Sequence, residues 1–83
     1  MKILYFAWLR NKIGVGEEEV NPPYEVATLG ALIEWLKGKG PAYAEALGDE
    51  RLVRAAVNQD YAHPDHPVKA GDEIAFFPPV TGG

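Results

Sequence analysis

Cysteine is absent from this sequence of 83 residues. The chain therefore has no disulfide, no thiolate ligand for a metal and no cysteine nucleophile. Internal repeats and low-complexity segments are also absent, and the hydrophobic content of 47% is ordinary for a folded domain. A chain of this length has room for one domain with one modest core.

A basic excess and a long hydrophobic run are missing as well. Twelve Asp and Glu residues outnumber eight Lys and Arg residues, so the formal net charge is −4. Nucleic acids and anionic membranes attract basic surfaces, so neither is expected as a partner, and a basic protein partner fits better. The apolar run at residues 3–9 is too short to span a bilayer and lacks a signal-peptide cleavage site. We therefore expect a cytoplasmic protein.

No group of side chains predicts a metal or catalytic site within the domain. His63, Asp65 and His66 lie close together in the sequence, but without a fourth ligand they make a poor zinc site, so solvated loop histidines are expected. Glu34 and Glu45 fall on predicted helices with no pocket implied. The glycine-containing turns lack the spacing of a phosphate-binding loop.

Hydrophobic periodicity and turn residues predict an α+β domain. Thr28 is a suitable N-cap for the clearest helix, and Pro41 suits the first position of a shorter one. The predicted elements are strand 3–9, turn 11–16, strand 17–20, a helix that follows Thr28 and ends at Gly38 or Gly40, helix 41–47, strand 54–58, short strand 61–62, loop 63–67 and strand 73–77. This order suits a sheet with its helix on one face, and the first and last strands, the most apolar, should lie side by side.

The last six residues form a different kind of segment. Pro78-Pro79 ends the last strand, and Gly82-Gly83 has no side chains, so we predict a domain at 1–77 and an extended tail at 78–83. Six residues reach at most about 20 Å, enough to carry the carboxylate of Gly83 into another protein's pocket. That carboxylate is ionised at neutral pH and can attack an activated phosphate. A frayed, inert end is the alternative, since termini are commonly disordered.

Aromatic residues near the tail form a second candidate site. Counting in twos along the last strand, Phe77 lies on the face opposite Ile74 and Phe76. If those two lie under the helix, Phe77 lies on the open face where the tail departs, and Phe6 on the first strand can join it. Together with Tyr61 they predict a partner surface, with ordinary core or rim packing as the alternative.

Several motifs resemble those of a known family. They are Phe6-Ala7-x-x-Arg10-x-x-x-Gly14, Ala56-Val57-Asn58-Gln59, His66-Pro67 and the run from Gly71 to Gly83. A chain with these motifs resembles the small subunit of molybdopterin synthase. The resemblance covers nearly the whole chain, and its last dozen residues are the most specific part. It implies the ubiquitin-like β-grasp fold, a mixed sheet with a helix packed on one face.

The resemblance also implies a chemistry. In that family an E1-like activating enzyme uses ATP to adenylate the terminal glycine, and sulfur then replaces AMP. The resulting thiocarboxylate enters the large synthase subunit and donates sulfur to cyclic pyranopterin monophosphate, which builds the dithiolene of molybdopterin. No cofactor is bound permanently, and the synthase has two small and two large subunits. The catalytic pocket is expected on the large subunit, so whether this chain counts as an enzyme by itself stays open.

Site residues follow from the resemblance together with the residue patterns. Gly83 is the expected reactive residue and Gly82 gives it clearance. The expected partner-binding residues are Phe6, Tyr61, Phe77, Pro78, Pro79, Val80, Thr81 and Arg10. Arg10 matches the family pattern at the expected end of the first strand, with a plain surface arginine as the alternative. The rival functions are a carrier for thiamine, tungsten-cofactor or another sulfur pathway, a ubiquitin-like modifier joined to lysines, and an inert β-grasp binding module.

Overall fold

The computed structural model describes residues 1–79. In chain order its elements are β1 (Lys2–Tyr5), α1 (Trp8–Ile13), β2 (Glu17–Glu19), α2 (Leu29–Lys37), α3 (Pro41–Leu47), a 3-10 helix (Glu50–Leu52), β3 (Arg54–Val57), β4 (Asp60–Tyr61) and β5 (Glu73–Phe77). The five strands form one mixed sheet in the order β2-β1-β5-β3-β4. β1 and β5 are parallel, and the other neighbouring strands are antiparallel.

The core lies between the sheet and α2. Alternate residues of β1 and β5 point to the same face and are at most 1% exposed, and α2 contributes an apolar stripe at helical spacing. These core residues are Ile3, Tyr5, Ile74, Phe76, Leu29, Leu32 and Leu36. The prediction that the first and last strands lie side by side, with a helix over one face, is confirmed.

The loop at residues 63–67 completes the N-terminus of α2. Thr28 acts as the N-cap, and its side-chain oxygen accepts a hydrogen bond from the Ala31 N–H at 3.2 Å. The Gly30 N–H donates to the carbonyl of Pro64 at 2.8 Å. A Cβ at Gly30 would lie 3.2 Å from that carbonyl oxygen, so glycine permits the close approach. The donors at the start of α2 are thus used within the fold.

The predicted strand at residues 3–9 is too long, and this prediction is wrong beyond Tyr5. Ala7 adopts φ 57° and ψ −136° and turns the chain into α1, so the first part of the predicted turn at 11–16 is helical. Leu9 is fully buried, but it reaches the core from a helix and not from a strand. Residues 3–9 are apolar at both odd and even positions, so the pattern does not indicate where the strand ends and the short helix begins.

Glu18 of β2 connects the sheet edge to α3. Its carboxylate accepts hydrogen bonds from the hydroxyl groups of Tyr5 at 2.7 Å and Tyr43 at 3.0 Å, and Lys39 Nζ lies 3.6 Å away. Burial, and then the hydrogen bond and charge of Glu18, raise the pKa of Tyr5 above its ordinary value of 10.0. The buried hydroxyl therefore stays a hydrogen-bond donor throughout the physiological pH range.

Candidate functional site

The face of the sheet opposite the helices carries the predicted aromatic residues. Phe77 ends β5, directly after the buried Phe76. The Phe6 N–H donates to the Phe76 carbonyl at 3.1 Å, so the ladder between β1 and β5 continues one residue past Tyr5. Phe6 follows the buried Tyr5 and is 48% exposed. The structure thus brings Phe6 and Phe77 to one end of the open face, as the residue alternation predicted.

Tyr61 joins them through strand pairing. Its partner in β3 is Ala56, which in turn pairs with Ala75 of β5, so all three residues share the open face. The rings of Tyr61 and Phe77 meet edge to face, with centroids 5.7 Å apart and planes at 63°. Tyr61 remains 77% exposed, so most of its surface is available to a partner.

We call this surface the open-face patch. It consists of Leu4, Phe6, Ala56, Tyr61, Ala75 and Phe77. No element within residues 1–79 covers it, because the helices pack on the other face. Uncovered apolar surface that includes large aromatic residues is typical of a protein-binding site. The arrangement can dock a partner, and it holds no acid–base pair that would perform a reaction by itself.

The base of the tail leaves from the same end of the sheet. Pro78 and Pro79 follow Phe77 directly, and both are partly exposed. Neither has an N–H, so the hydrogen-bond ladder of β5 cannot continue through them. Val80, Thr81, Gly82 and Gly83 lie outside the described residues. Their predicted roles stay predictions, as does the division into a domain at 1–77 and a tail at 78–83.

Arg10 lies on α1 and not at the end of a strand, which corrects the expected position. A Cβ at Gly16 would lie 3.2 Å from Arg10 Nε, so the guanidinium rests against that glycine. The Gly16 carbonyl accepts from the Tyr5 N–H at 2.9 Å, which puts Arg10 at the tail end of the sheet. Within residues 1–79, no carboxylate oxygen lies within 4.0 Å of its guanidinium. Its pairing with a partner or the tail stays a prediction.

Arg54, the first residue of β3, was not among the site residues predicted from the sequence. Arg54 pairs in register with Phe77, and its guanidinium donates to the carbonyls of Glu50 and Val53, both at 3.3 Å. These bonds hold the side chain without neutralising its charge. A single arginine at the start of a strand has no distinctive pattern, so only the strand pairing places it beside the aromatic residues.

A groove borders the open-face patch, since Tyr61 and Arg54 are among its lining residues. The groove has a volume of about 1040 Å³ and runs between α2 and the edge of β3, with Ile33, Val53 and Ala62 also in its lining. Across residues 1–79, no three His, Cys, Asp or Glu side chains gather closely enough to hold a metal ion. Over the same residues, no helix has the length and apolar character needed to cross a bilayer.

A mixed sheet with a helix across one face, and with Pro78 and Pro79 following its last strand at the end of an open apolar face, defines a ubiquitin-like β-grasp protein. The chain belongs to the ThiS family, whose model matches residues 3–83. It is 43% identical over 83 residues to the molybdopterin synthase sulfur carrier subunit of Escherichia coli strain K12, a match that covers 100% of this chain and 99% of the relative. The resemblance and the fold predicted from the sequence are confirmed.

Solved structures agree with this assignment. The crystal structure of SAMP1, small archaeal modifier protein 1, from Haloferax volcanii has a TM-score of 0.81 and 32% identity, covering 100% of this chain and 98% of that chain. A chain in the complex of subunits 1 and 2 of molybdopterin-converting factor from Helicobacter pylori has a TM-score of 0.64 and 24% identity, covering 99% and 96%. The second likeness concerns the fold alone.

Proposed function

We propose that this protein is a sulfur carrier and the small subunit of a molybdopterin synthase, with Gly83 as the residue that bears the sulfur. The family match carries the proposal, because it extends through the last residue of the chain and so includes the two terminal glycines. The relative that is 43% identical carries the name of a molybdopterin synthase sulfur carrier subunit. The absence of cysteine is consistent with sulfur held on a carboxyl group.

The proposed cycle has three steps. An E1-like enzyme transfers AMP from ATP to the Gly83 carboxylate and releases pyrophosphate, which makes the carbonyl carbon electrophilic. A sulfur donor then displaces AMP and leaves a thiocarboxylate. In the large subunit, the thiocarboxylate sulfur passes to cyclic pyranopterin monophosphate, and the carboxylate of Gly83 is regenerated by water. Two such donations supply the two sulfur atoms of the dithiolene.

The described residues suit the docking part of this cycle. The open-face patch supplies apolar contact area, and Pro78 and Pro79 end the strand directly after Phe77. We propose the large synthase subunit and the E1-like enzyme as its two partners, in a synthase of two small and two large subunits. The carrier itself needs no bound cofactor in this scheme, and ATP is consumed by the activating enzyme. We expect the cycle to run in the cytoplasm, where ATP is available.

Mass spectrometry tests the proposal directly. After incubation with the E1-like enzyme, ATP and a sulfur source, the intact chain should gain the mass difference between sulfur and oxygen on its C-terminal residue. A chain lacking Gly83 is the matched control. If the reaction needs that terminal glycine, the shortened chain should keep its original mass. An unchanged full-length chain, in a reaction where the enzyme demonstrably consumes ATP, would contradict the proposal.

A second candidate function is a ubiquitin-like modifier. The likeness to small archaeal modifier protein 1, at 32% identity and a TM-score of 0.81, favours it. Joining to a lysine needs the same adenylated glycine, so both functions share the first step. A modifier should produce higher-mass adducts linked through Gly83 in cell extract. A dedicated carrier should appear only as the free or thiocarboxylated chain.

A further inference from the structure

The basic residues of this protein divide into two groups. The sequence has eight Lys and Arg residues, all within residues 1–79. Six of them lie within 3.6 Å of a carboxylate oxygen, namely Lys2, Lys12, Lys37, Lys39, Arg51 and Lys69. In this described part of the chain, Arg10 and Arg54 alone among the basic side chains have no such partner. Both are exposed, so both charges are available to another molecule.

These two arginines bracket the end of the sheet from which the tail departs. Arg10 rests against Gly16, whose carbonyl is bonded to the end of β1. Arg54 pairs with Phe77 at the end of β5. The strand order β2-β1-β5-β3 puts three interstrand spacings between the two positions, or roughly 14 Å at about 4.8 Å each. Phe6 and Phe77 lie between them.

The carboxylates along β2 on the open face, unlike the two arginines, are already paired within the chain: Glu19 lies 3.4 Å from the Met1 amino group and Glu17 lies 3.6 Å from Lys2 Nζ. Glu19 pairs in register with Lys2, at the start of β1, and Glu17 with Leu4. Their side chains are 69% and 64% exposed. The open-face patch is therefore flanked by paired charges along β2 and at the end remote from the tail, and at the tail end by two cations that have no ion pair within residues 1–79. Apolar contact alone does not determine the orientation of a bound partner, whereas an uneven charge distribution does.

We propose, on the basis of the proposed function, that Arg10 and Arg54 are docking cations for the large synthase subunit. They bind two carboxylates of that subunit, one on each side of the entrance that receives the tail. A guanidinium is weakly hydrated and matches a carboxylate with two parallel hydrogen bonds. The Glu50 and Val53 carbonyls already orient Arg54, which reduces the ordering needed on binding. The pair determines which way round the patch docks, and so directs the tail into its channel.

The position of the arginines favours carboxylates over the phosphates of a reactant. Six residues follow Phe77, so the reacting carboxyl group can lie up to about 20 Å from the patch. A phosphate bonded to that carboxyl group would therefore lie far from the Arg10 and Arg54 side chains, which lie level with Phe6 and Phe77. Protein carboxylates around the channel entrance are the anions that come within reach.

Binding of the full-length chain to its large subunit tests this inference. We would measure the dissociation constant and association rate for wild type, Arg10→Glu, Arg54→Glu and the double variant Arg10→Gln/Arg54→Gln. Lys37→Glu is the matched control, because it changes the net charge equally but lies on α2 and is paired with Glu34. Melting temperatures of all variants establish that they fold.

Each glutamate substitution should weaken binding about tenfold or more, mainly through slower association, because like charges then face each other. The sites are more than about 10 Å apart, so the two effects should multiply. The glutamine pair should flatten the salt dependence of the affinity, whereas Lys37→Glu should stay within about twofold of wild type.

Arginine variants that bind like Lys37→Glu, with wild-type salt dependence, would overturn the inference while leaving the proposed function intact. A loss confined to turnover at saturating large subunit, with an unchanged dissociation constant, would also overturn it, because the arginines would then act in the reaction. A wild-type chain that does not bind the large subunit at all would overturn both the inference and the proposed function.

Discussion

At the scale of single residues, Ala7 is the clearest departure from ordinary backbone geometry. Its φ of 57° with ψ of −136° lies outside the regions that residues with a Cβ adopt readily, at a cost of about 1–3 kcal/mol. The turn at Ala7 leaves Phe6 on the open face and starts the helix that buries Leu9. Burial of a leucine contributes about 1.5–3 kcal/mol, which is enough to offset the strain.

We therefore expect Ala7→Gly to raise the free energy of unfolding by about 1 kcal/mol, because the relief of strain exceeds the added backbone entropy of glycine. Denaturant titration measures the change. Ala56→Gly is the matched control, because Ala56 lies in β3 with ordinary backbone geometry and should lose about 0.5–1 kcal/mol. Equal destabilisation by the two substitutions would show that Ala7 is not strained.

At the scale of elements, a two-residue turn joins β3 to β4 and is tied to the start of β5. Asn58 and Gln59 have φ of 51° and 74°, the positive values that a tight hairpin of this kind requires. The Asn58 side chain donates to Asp72 at 3.0 Å and accepts from the Glu73 N–H at 3.0 Å. Asp72 also accepts from Lys69. Three separate segments are thus held together by one carboxylate and one amide.

This arrangement predicts a pH dependence. The hydrogen bonds from Asn58 and then Lys69 hold the pKa of Asp72 below its ordinary value of 3.8. A pKa lowered by folding contributes stability that is present above the unfolded value and lost as the pH falls through the folded one. The free energy of unfolding of the wild type should therefore fall as the pH is lowered below about 4. The free energy of unfolding of Asp72→Asn should fall less steeply over the same range.

Denaturant titrations between neutral pH and the acid range measure that slope. Asp60→Asn is the matched control, because it removes a carboxylate whose side chain makes none of these hydrogen bonds. If the free energy of unfolding falls equally with pH in wild type and in Asp72→Asn, Asp72 does not cause the loss of stability in acid.

At the scale of the whole molecule, we expect the two faces of the sheet to have separate tasks, one in stability and the other in docking. One face is covered by α2 and supplies the core, with residues such as Ile3 and Phe76 fully buried. The other face carries the open-face patch and Arg54, and Arg10 on α1 lies at its tail end. Within residues 1–79 neither arginine has an ion pair. Because Tyr61 touches Phe77 but not this core, stability and docking can be changed independently.

Tyr61→Ala should accordingly weaken binding to the large subunit about tenfold or more while lowering the free energy of unfolding by no more than about 1 kcal/mol. Calorimetric titration and thermal melting measure the two effects. Tyr24→Ala is the matched control, because Tyr24 is 93% exposed in the loop before α2, away from the patch. Wild-type affinity in Tyr61→Ala, or a chain that fails to fold, would contradict the separation of tasks.

The elements predicted correctly are those with strong local patterns. The helix Pro41–Leu47 and the strand Glu73–Phe77 have the predicted bounds, and Thr28 caps α2 as expected. Proline, glycine and a capping hydroxyl act on their immediate neighbours, so such residues determine local structure by themselves. The end of β1 was predicted wrongly. The strand ends because of the backbone conformation of Ala7, and no side-chain pattern in the sequence indicates that conformation.

The sequence by itself determined the class of fold, the order of most elements and the family, since these depend on local periodicity and on motifs that run along the whole chain. Only the tertiary structure decided which distant residues become neighbours. Register between β3, β4 and β5 brings Tyr61 and Arg54 to Phe77, from positions 16 and 23 residues earlier in the chain. Strand pairing joins segments remote in sequence, so an exposed aromatic surface built across four strands is apparent only once they are paired.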